Sequence, residues 1–233
     1  MDEVLHVKGL RVGVTRKRIR NMYLRVVPPH GEVMIRAPLR VSTDSIRRFV
    51  VAKLPWIHKH QEVVRRQEWE PPRRYHEREL QRVWGERLPL RVVEREGAPK
   101  VKVAGGEVVL WVPPGAGVSL RRTALENWYA QQTLDAAMAL IPKWERILGV
   151  RVDQLFARRM KTLWGSCHRG KRAIRLNSEL AKRPRELLEY ILVHEMMHLL
   201  EDSHGPRFAA LRRRYQPEWR EMDAELRRVP IGV

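Results

Sequence analysis

One short stretch of the sequence carries the residue types that metal-dependent hydrolysis needs. His194 and His198 are separated by three residues, and Glu195 directly follows the first histidine. On an α-helix, residues four apart lie on the same face, so the two imidazoles can point at a common ion. Two neutral imidazoles suit Zn²⁺, which in catalytic sites keeps one position open for water. The pattern therefore predicts a zinc site in which Glu195 acts as the general base on that water.

A third ligand is expected soon after the second histidine. His204 follows His198 with five residues between them, and on a continuous helix it would lie about 240° further round the axis. His204 can therefore reach the same ion only if the helix ends near Glu201 or Asp202 and the chain turns back. Turn-forming and helix-starting residues occupy this interval and predict such a break. They are Asp202, Ser203, Gly205 and Pro206.

The segment around the motif is apolar on every side of the expected helix. Between Leu187 and Leu200, the main polar exceptions are Glu189, Tyr190, His194, Glu195 and His198. A helix of this kind is buried all round, and an unpaired carboxylate there costs roughly several kcal/mol. A shared metal explains the polar residues of the motif together. The motif could instead be a chance pair of surface histidines, but surface residues are not expected inside an apolar run. It could also be a pair of structural histidines in the core, but that explanation gives no reason for Glu195.

The composition describes a soluble, strongly basic chain. Of 233 residues, 43% are hydrophobic, and the formal net charge is +19, which makes nucleic acid a candidate partner. The arginines are scattered in pairs, however, as on a solvated surface. The single cysteine, Cys167, excludes an internal disulfide. Because we find neither a signal peptide nor an apolar run of the ~20 residues that span a bilayer, we expect a cytoplasmic protein with no membrane partner.

We expect an α+β protein with two regions. We expect residues 1–118 to form a β-rich region with one helix over about 44–69, which Pro55 bends or splits. A Pro-rich linker is expected near 70–74. We expect residues 119–233 to form the metallohydrolase region. Its elements in chain order are a long helix, strands, the helix of the histidine motif, a turn carrying His204 and a final helix. The expected strands are 12–14, 22–27, 33–37, 88–93, 101–103, 108–112, 154–163 and 172–177.

A second sequence block precedes the histidine motif. Residues 159–167 read Arg-Met-Lys-Thr-Leu-Trp-Gly-Ser-Cys, and with His194-Glu195-x-x-His198 and His204 this block resembles the YgjP-like metal-dependent hydrolase family. That family is related to the WLM and SprT-like zinc metallopeptidases. Residues 20–26 and 31–38 resemble its N-terminal part, so the resemblance covers nearly the whole chain. It implies a zincin-like fold, zinc on the three histidines, and Glu195 as general base.

Residues other than His204 remain candidates for the third metal ligand. The five-residue gap to His204 also matches the metzincin proteases, which place a glycine three residues after the second histidine. Glu201 stands there in this chain, so we do not assign that class. Thermolysin-like enzymes use a more distant glutamate as the third ligand. The downstream candidates for that role are Glu218, Glu221 and Glu225.

Further residues could line the cleft. Cys167 and His168 suggest a cysteine nucleophile with its base, but adjacent residues on a strand point to opposite faces, so direct pairing is not expected. We expect Trp164 to pack against the helix of the histidine motif. Asn177 is expected either to tie the adjoining hairpin to the site or to cap a turn. Candidates for stabilising an oxyanion are Arg158, Arg159, Arg207 and Tyr215.

The function that these patterns favour is that of a zinc-dependent hydrolase, specifically a metallopeptidase acting on a peptide or protein. An alternative uses the same metal centre to hydrolyse a nucleotide phosphoanhydride, with arginines binding phosphate, although no glycine-rich phosphate loop is present. Members of the family that the chain resembles are labelled as peptidases and as nucleotide pyrophosphatases. A third reading is a basic nucleic-acid-associated protein or peptidase. The sequence does not define the oligomeric state.

Overall fold

The computed structural model describes residues 2–27, 30–66, 74–228 and 231. These form two compact units. Residues 2–66 belong to the first unit together with Arg227, Arg228 and Ile231, and residues 74–226 belong to the second. The boundary that we expected at 118/119 falls inside the second unit. The linker expected near 70–74 lies outside the described residues, except for residue 74.

The first unit is a four-stranded sheet with two helices. Its elements are β1 Asp2–Val7, β2 Leu10–Lys17, β3 Tyr23–Val27, β4 Glu32–Pro38, α1 Thr43–Ala52 and α2 Leu54–Arg66. The strand order is β1-β2-β4-β3, with β2 and β4 parallel and the other pairs antiparallel. Alternate strand residues such as Val14 and Ile35 are fully buried against Ile46 and Val50 of α1. The sheet therefore buries one face under the helices.

The helix of the first unit is split, as its sequence predicts. Ser42 caps α1, because its hydroxyl accepts a hydrogen bond from the backbone N–H of Ser45 at 3.2 Å. The first helix ends at Ala52 and the second begins at Leu54, directly before Pro55. Proline is tolerated there because the first turn of a helix needs no hydrogen bond from its N–H.

The second unit contains two further sheets and four helices. Its elements are β5 Leu80–Val83, β6 Glu86–Glu94, β7 Lys100–Ala104, β8 Glu107–Val112, α3 Val118–Leu148, β9 Gln154–Arg158, β10 Gly165–His168, β11 Ala173–Asn177, α4 Arg185–Met197, α5 Pro206–Tyr215 and α6 Trp219–Arg228. The sheet orders are β5-β6-β8-β7 and β10-β11-β9. The mixed α+β composition is confirmed, with β1, β5 and β10 as additional strands. The strand expected over 154–163 ends at Arg158, because the side chain of Asn177, rather than a neighbouring strand, binds the carbonyls of Met160 and Leu163.

Helix α4 forms the centre of the second unit. Nine of its residues are buried, and all of them except Glu195 share a hydrophobic core with Ile174 and Leu176 of β11, Ala137 of α3 and Phe208 of α5. This burial follows from the apolar run that surrounds the histidine motif. In the described part of the chain, no helix combines the length and apolarity needed to cross a membrane.

Candidate metal centre

The two histidines of the motif stand at the C-terminal end of α4. His194 lies in its last turn, and His198 is the C-terminal cap, with helical backbone angles. The N–H of Leu199 bonds to the carbonyl of Met196 at 3.0 Å, and that of Leu200 bonds to Met197 at 3.0 Å. These tighter bonds close the last turn. The helix therefore ends a few residues before the expected end at Glu201 or Asp202.

The break after α4 brings the third histidine back to the first two. Gly205 caps α5 and Pro206 occupies its first turn, as the sequence predicts. The Nε2 atoms of His194 and His204 lie 3.1 Å apart, and one ring nitrogen from each of the three histidines falls within 4.8 Å of the others. Nitrogens bound tetrahedrally to one Zn²⁺ lie about 3.3 Å apart. This spacing suits a single ion.

Phe208 packs against all three imidazoles. Its ring stacks on His198, with centroids 4.5 Å apart and planes inclined by 24°. The rings of His194 and His204 meet it edge-on, with centroids at 5.0 Å and 4.7 Å. Phe208 is itself only 1% exposed. Because a packed ring restricts rotation of the side chains that contact it, Phe208 limits how far the cluster can open.

A backbone carbonyl fixes the tautomer of His198. Its Nδ1 lies 3.0 Å from the carbonyl oxygen of Glu201, and a carbonyl only accepts, so Nδ1 carries the proton. The lone pair of Nε2 is thereby free to bind a cation. Outer hydrogen bonds of this type commonly orient histidine ligands.

Burial keeps the other imidazoles neutral. Burial, followed by the positive charges that His198 and His204 would carry, lowers the pKa of His194 to about 4. His204 is mostly exposed, but the partial desolvation of its ring, followed by the positive charge that His198 would carry, also lowers its pKa. Near neutral pH both rings are therefore unprotonated, which is the state that binds a metal.

Glu195 lies against a glycine of the neighbouring strand. A Cβ atom placed on Gly165 of β10 would come within 2.6 Å of Oε1 and 2.7 Å of Cγ of Glu195. Only glycine leaves room for the carboxylate at this position. Glu195 is 7% exposed, and burial raises the pKa of its carboxyl to about 8. A nearby cation would favour the ionised form and lower that value.

We predict that Gly165→Ala lowers hydrolytic activity by about 100-fold, since a displacement of about 1 Å in a reacting group can cost this much. Metal content should stay at the wild-type level, because the three atoms nearest to the added Cβ all belong to Glu195. The measurement is kcat/KM with zinc content on the same sample. Gly170→Ala is the matched control, because its Cβ meets His168 only at ordinary distances of 3.7 Å and 3.9 Å. Wild-type activity in Gly165→Ala would contradict the close contact with Glu195.

The remaining polar residues of α4 have partners on neighbouring helices. Burial alone would raise the pKa of Glu189, but hydrogen bonds of 2.7 Å from Lys143 and from Trp144 hold it below its usual value. The hydroxyl of Tyr190 donates to Asp223 at 2.7 Å and accepts from Arg212 at 3.1 Å. Burial and then Asp223 raise the pKa of that hydroxyl. These contacts tie α4 to α3, α5 and α6.

Asn177 anchors the segment that leads into β10. Its side-chain nitrogen donates to the carbonyls of Met160 and Leu163 at 3.0 Å and 2.8 Å. Its side-chain oxygen accepts from the N–H groups of Met160 and Glu179 at 3.2 Å and 3.1 Å. The side chain thus holds the segment before β10 and caps the turn after β11. Of the two roles expected for Asn177, the turn cap is the one that these contacts show. Trp164 packs against the core that contains α4, as expected.

Two of the oxyanion candidates pair with carboxylates. Arg159 lies 3.3 Å from Glu126 and 3.8 Å from the buried Glu179. Arg207 lies 3.6 Å from Glu201, in the turn that carries His204. Tyr215 packs against the core, and Arg158 ends β9. None of the four joins the three histidines.

Cys167 is not arranged as a nucleophile. Burial, and then the charges of Glu195 and Asp202, raise the pKa of its thiol to about 11, although Arg169 opposes the shift. The thiol is therefore protonated at every pH well below 11. His168 instead accepts a hydrogen bond from the N–H of Lys171 at 3.3 Å.

We predict slow alkylation of Cys167 in the folded protein. At pH 7.5 about one thiol in three thousand is ionised for a pKa of about 11, against about one in ten for a free cysteine. The rate with iodoacetamide should rise tenfold per pH unit beyond pH 9, and Cys167→Ser should keep activity within about threefold. The denatured chain provides the reference rate. A rate that levels off below pH 9, or a loss of activity in Cys167→Ser, would contradict this assignment.

Nitrogen donors alone make up the cluster. In the parts of the chain that the structure describes, no carboxylate or thiolate joins the three histidines, so Glu218, Glu221 and Glu225 are not among its members. Three imidazoles with one free position fit Zn²⁺ in its catalytic form. The donor set and its spacing are therefore compatible with the ion that the sequence suggests.

Part of the chain resembles a solved metallopeptidase structure, and most of it matches a family model. The crystal structure of the metallopeptidase zymogen of Methanocaldococcus jannaschii jannalysin matches 39% of this chain and 87% of its own, with 22% identity and a TM-score of 0.35. No curated protein matches the sequence. A family model described as the YgjP-like metallopeptidase domain matches residues 20–229. Because this match includes Gly165, Glu195 and the three histidines, and extends over most of both units, the chain belongs to the YgjP-like metallopeptidase family.

Proposed function

We propose that the chain is a zinc-dependent peptidase. In this proposal His194, His198 and His204 hold the metal, and Glu195 is the general base. The observation that carries it is the convergence of three imidazole nitrogens within 4.8 Å. Glu195, the residue that follows His194 on the same helix, has a buried carboxylate that Gly165 accommodates. The match to a metallopeptidase family supports the same reading. We further propose a zincin-like arrangement for this region.

When bound, Zn²⁺ supplies a Lewis acid that activates a water molecule and polarises a carbonyl. Glu195 accepts a proton from the attacking water and passes it to the leaving nitrogen of the substrate. Its burial suits this double role, because a carboxylate with a raised pKa holds a proton more readily than a solvated one. Gly165 keeps the carboxylate in place, and the carbonyl of Glu201 keeps Nε2 of His198 free for the metal.

The outer edge of β10 offers a place for an extended substrate. Trp164 and Asn177 form a hydrogen-bonded pair across the hairpin, at 2.8 Å, so the register directs the backbone groups of Gly165 and Cys167 away from β11. Among the described strands, none pairs with this edge. We propose that the substrate backbone pairs there as an added strand, which would bring its peptide bonds beside Glu195.

One observation favours a second candidate function. A cavity of about 880 Å³ lies next to Leu199 and Leu200. Its charged lining residues are Arg151, Asp153, Arg169, Lys171 and Arg172. Arginine side chains recognise phosphate through paired hydrogen bonds, so this lining suits the phosphates of a nucleotide, although Arg151 and Arg172 also pair with Asp153. None of the three histidines lines the cavity, but Leu199 directly follows His198. The family match and the open strand edge nevertheless favour the peptidase.

One experiment separates the two functions. Purified protein loaded with zinc is assayed against a casein-like protein and against nucleoside triphosphates under the same conditions. We expect proteolysis that EDTA abolishes and that added zinc restores. Hydrolysis of nucleoside triphosphates alone would contradict the peptidase and support the second candidate.

A further inference from the structure

The positive charge of the chain is concentrated in the first unit. Residues 2–66 contain fifteen lysines and arginines and five aspartates and glutamates, a formal charge of +10. Residues 74–226 carry 28 basic and 20 acidic residues, a charge of +8 over more than twice the length. The first unit therefore has about three times the charge per residue. A proteome rich in basic residues would raise the net charge of both units. The excess charge of the first unit therefore calls for an explanation within that unit.

Four of these cations lie on the uncovered face of the four-stranded sheet. Arg11, Lys17, Arg25 and Arg36 are all exposed, and they occupy strand positions that alternate with the buried residues of β2, β3 and β4. Because side chains alternate between the two faces of a strand, all four project from the face opposite the helices. An uncovered face is normal for such a sheet, but a face dominated by one sign of charge is not.

No ion pair joins these cations to a carboxylate whose side chain the structure describes. Glu32 and, by its pairing with Thr15, Asp2 hold strand positions on this face, and Glu32 forms no ion pair with the four cations. Two cations elsewhere in the unit do have carboxylate partners. Arg16 lies 3.4 Å from Glu3, and Arg47 lies 3.6 Å from Asp44. The uncovered face therefore presents four positive charges that are free for an external anion. We call it the basic sheet face.

An exposed aromatic ring lies among the charges. Tyr23 is 53% exposed and stands directly opposite Arg36 across the β3–β4 pair. Met34 is 37% exposed, and its sulfur lies over Gly13, where a Cβ would come within 2.5 Å of it. The centre of the face is thus flat and apolar, with cations around it. A planar base can stack on such a surface.

We propose that the basic sheet face binds a single-stranded polynucleotide, with phosphates on the four cations and a base stacked on Tyr23. Phosphates supply the repeated negative charge that the unpaired cations require. A single strand fits better than a duplex, because only unpaired bases expose their faces for stacking. This inference uses no residue of the metal centre and stands independently of the peptidase proposal.

The test compares two charge reversals in the full-length chain. Arg25→Glu with Arg36→Glu alters the basic sheet face, whereas Arg47→Glu with Arg48→Glu makes the same change in net charge on α1. Binding of fluorescein-labelled 20-nucleotide RNA and DNA is followed by fluorescence anisotropy at several salt concentrations. We expect the sheet variant to bind at least about tenfold more weakly, with a salt slope lower by about 1.4 from two lost phosphate contacts. The helix variant should change by less than about twofold.

Three results would overturn the proposal. They are no binding by the wild-type chain at 50 mM salt, equal weakening by the two charge reversals, and binding to a duplex as tight as to the single strand. Tyr23→Ala should weaken binding by about fivefold or more without changing the salt slope, because it removes stacking alone. If the double glutamate variant does not fold, Arg25→Gln with Arg36→Gln tests the same contacts, and circular dichroism monitors the fold. Binding should be unchanged by EDTA.

Discussion

Replacing Glu195 with glutamine is expected to abolish peptide hydrolysis while the metal stays bound. Glutamine has nearly the same shape, so it fits beside Gly165, but its amide cannot accept the proton of the attacking water. General base catalysis typically contributes about 10²–10⁴-fold, so kcat should fall by at least that range. Zinc content should remain at one ion per chain, because Glu195 is not a member of the histidine cluster. The measurements are kcat and zinc content on one preparation.

The matched control makes the same substitution on the same helix. Glu189 accepts hydrogen bonds from Lys143 and Trp144, and these contacts do not involve the histidines. Glu189→Gln should therefore keep activity within a few fold of wild type, with at most a modest loss of stability. Full activity in Glu195→Gln, or equal losses in the two variants, would refute the role assigned to Glu195.

Replacing His204 with alanine is expected to remove most of the metal affinity. The affinity should fall by more than the roughly 10–100-fold that loss of an outer hydrogen-bond partner costs, because a ligand itself is lost. His204 is exposed and lies outside the buried helix, so the fold should survive. This separates the loss of metal from unfolding, which replacement of a residue inside α4 would not do. Competition with a zinc-responsive dye, alongside circular dichroism, measures both quantities.

An exposed histidine of the first unit provides the control for His204→Ala. His58 lies on α2 and is not part of the metal cluster. His58→Ala should bind zinc as tightly as wild type. A wild-type affinity in His204→Ala would mean that another group completes the site, and the three-histidine arrangement would then be wrong.

The clustering of the three histidines was predictable, because the signals for it are local. The spacing of His194 and His198 follows from helix geometry. The return of His204 follows from turn residues and from Pro206 at the start of α5. The sequence placed the end of α4 a few residues too late, because the hydrogen bonds of the last turn shift there to residues three apart and side-chain patterns do not reveal that shift.

The supporting contacts were not predictable, because they join residues that are distant in sequence. Gly165 meets Glu195 across thirty positions, and Tyr190 reaches Asp223 across thirty-three. A lone glycine in a strand indicates only a close approach, without naming the partner. Phe208 gave a partial signal, as an apolar residue in the first turn after Pro206. Its stacking on His198 depends on the packing of α5 against α4.

Strands with several adjacent apolar residues were recognised, including the edge strands β3, β7 and β9, whereas the edge strands β1, β5 and β10 were not. β1 and β5 contain charged or polar residues between the apolar ones, and β10 reads Gly-Ser-Cys-His. Their pairing depends on a neighbouring strand rather than on their own pattern. The extent of the first unit likewise depends on which elements pack together. The periodicity of the sequence does not carry that information.

The X-ray absorption spectrum of the zinc-loaded wild-type protein tests the central claim most directly. We predict one zinc per chain, with a shell of nitrogen and oxygen at about 2.0–2.1 Å and the outer scattering of three imidazoles. His204→Ala should lose one imidazole from that pattern. A sulfur shell at about 2.3 Å, or a wild-type protein that binds no zinc, would contradict the assignment of His194, His198 and His204 as the metal site.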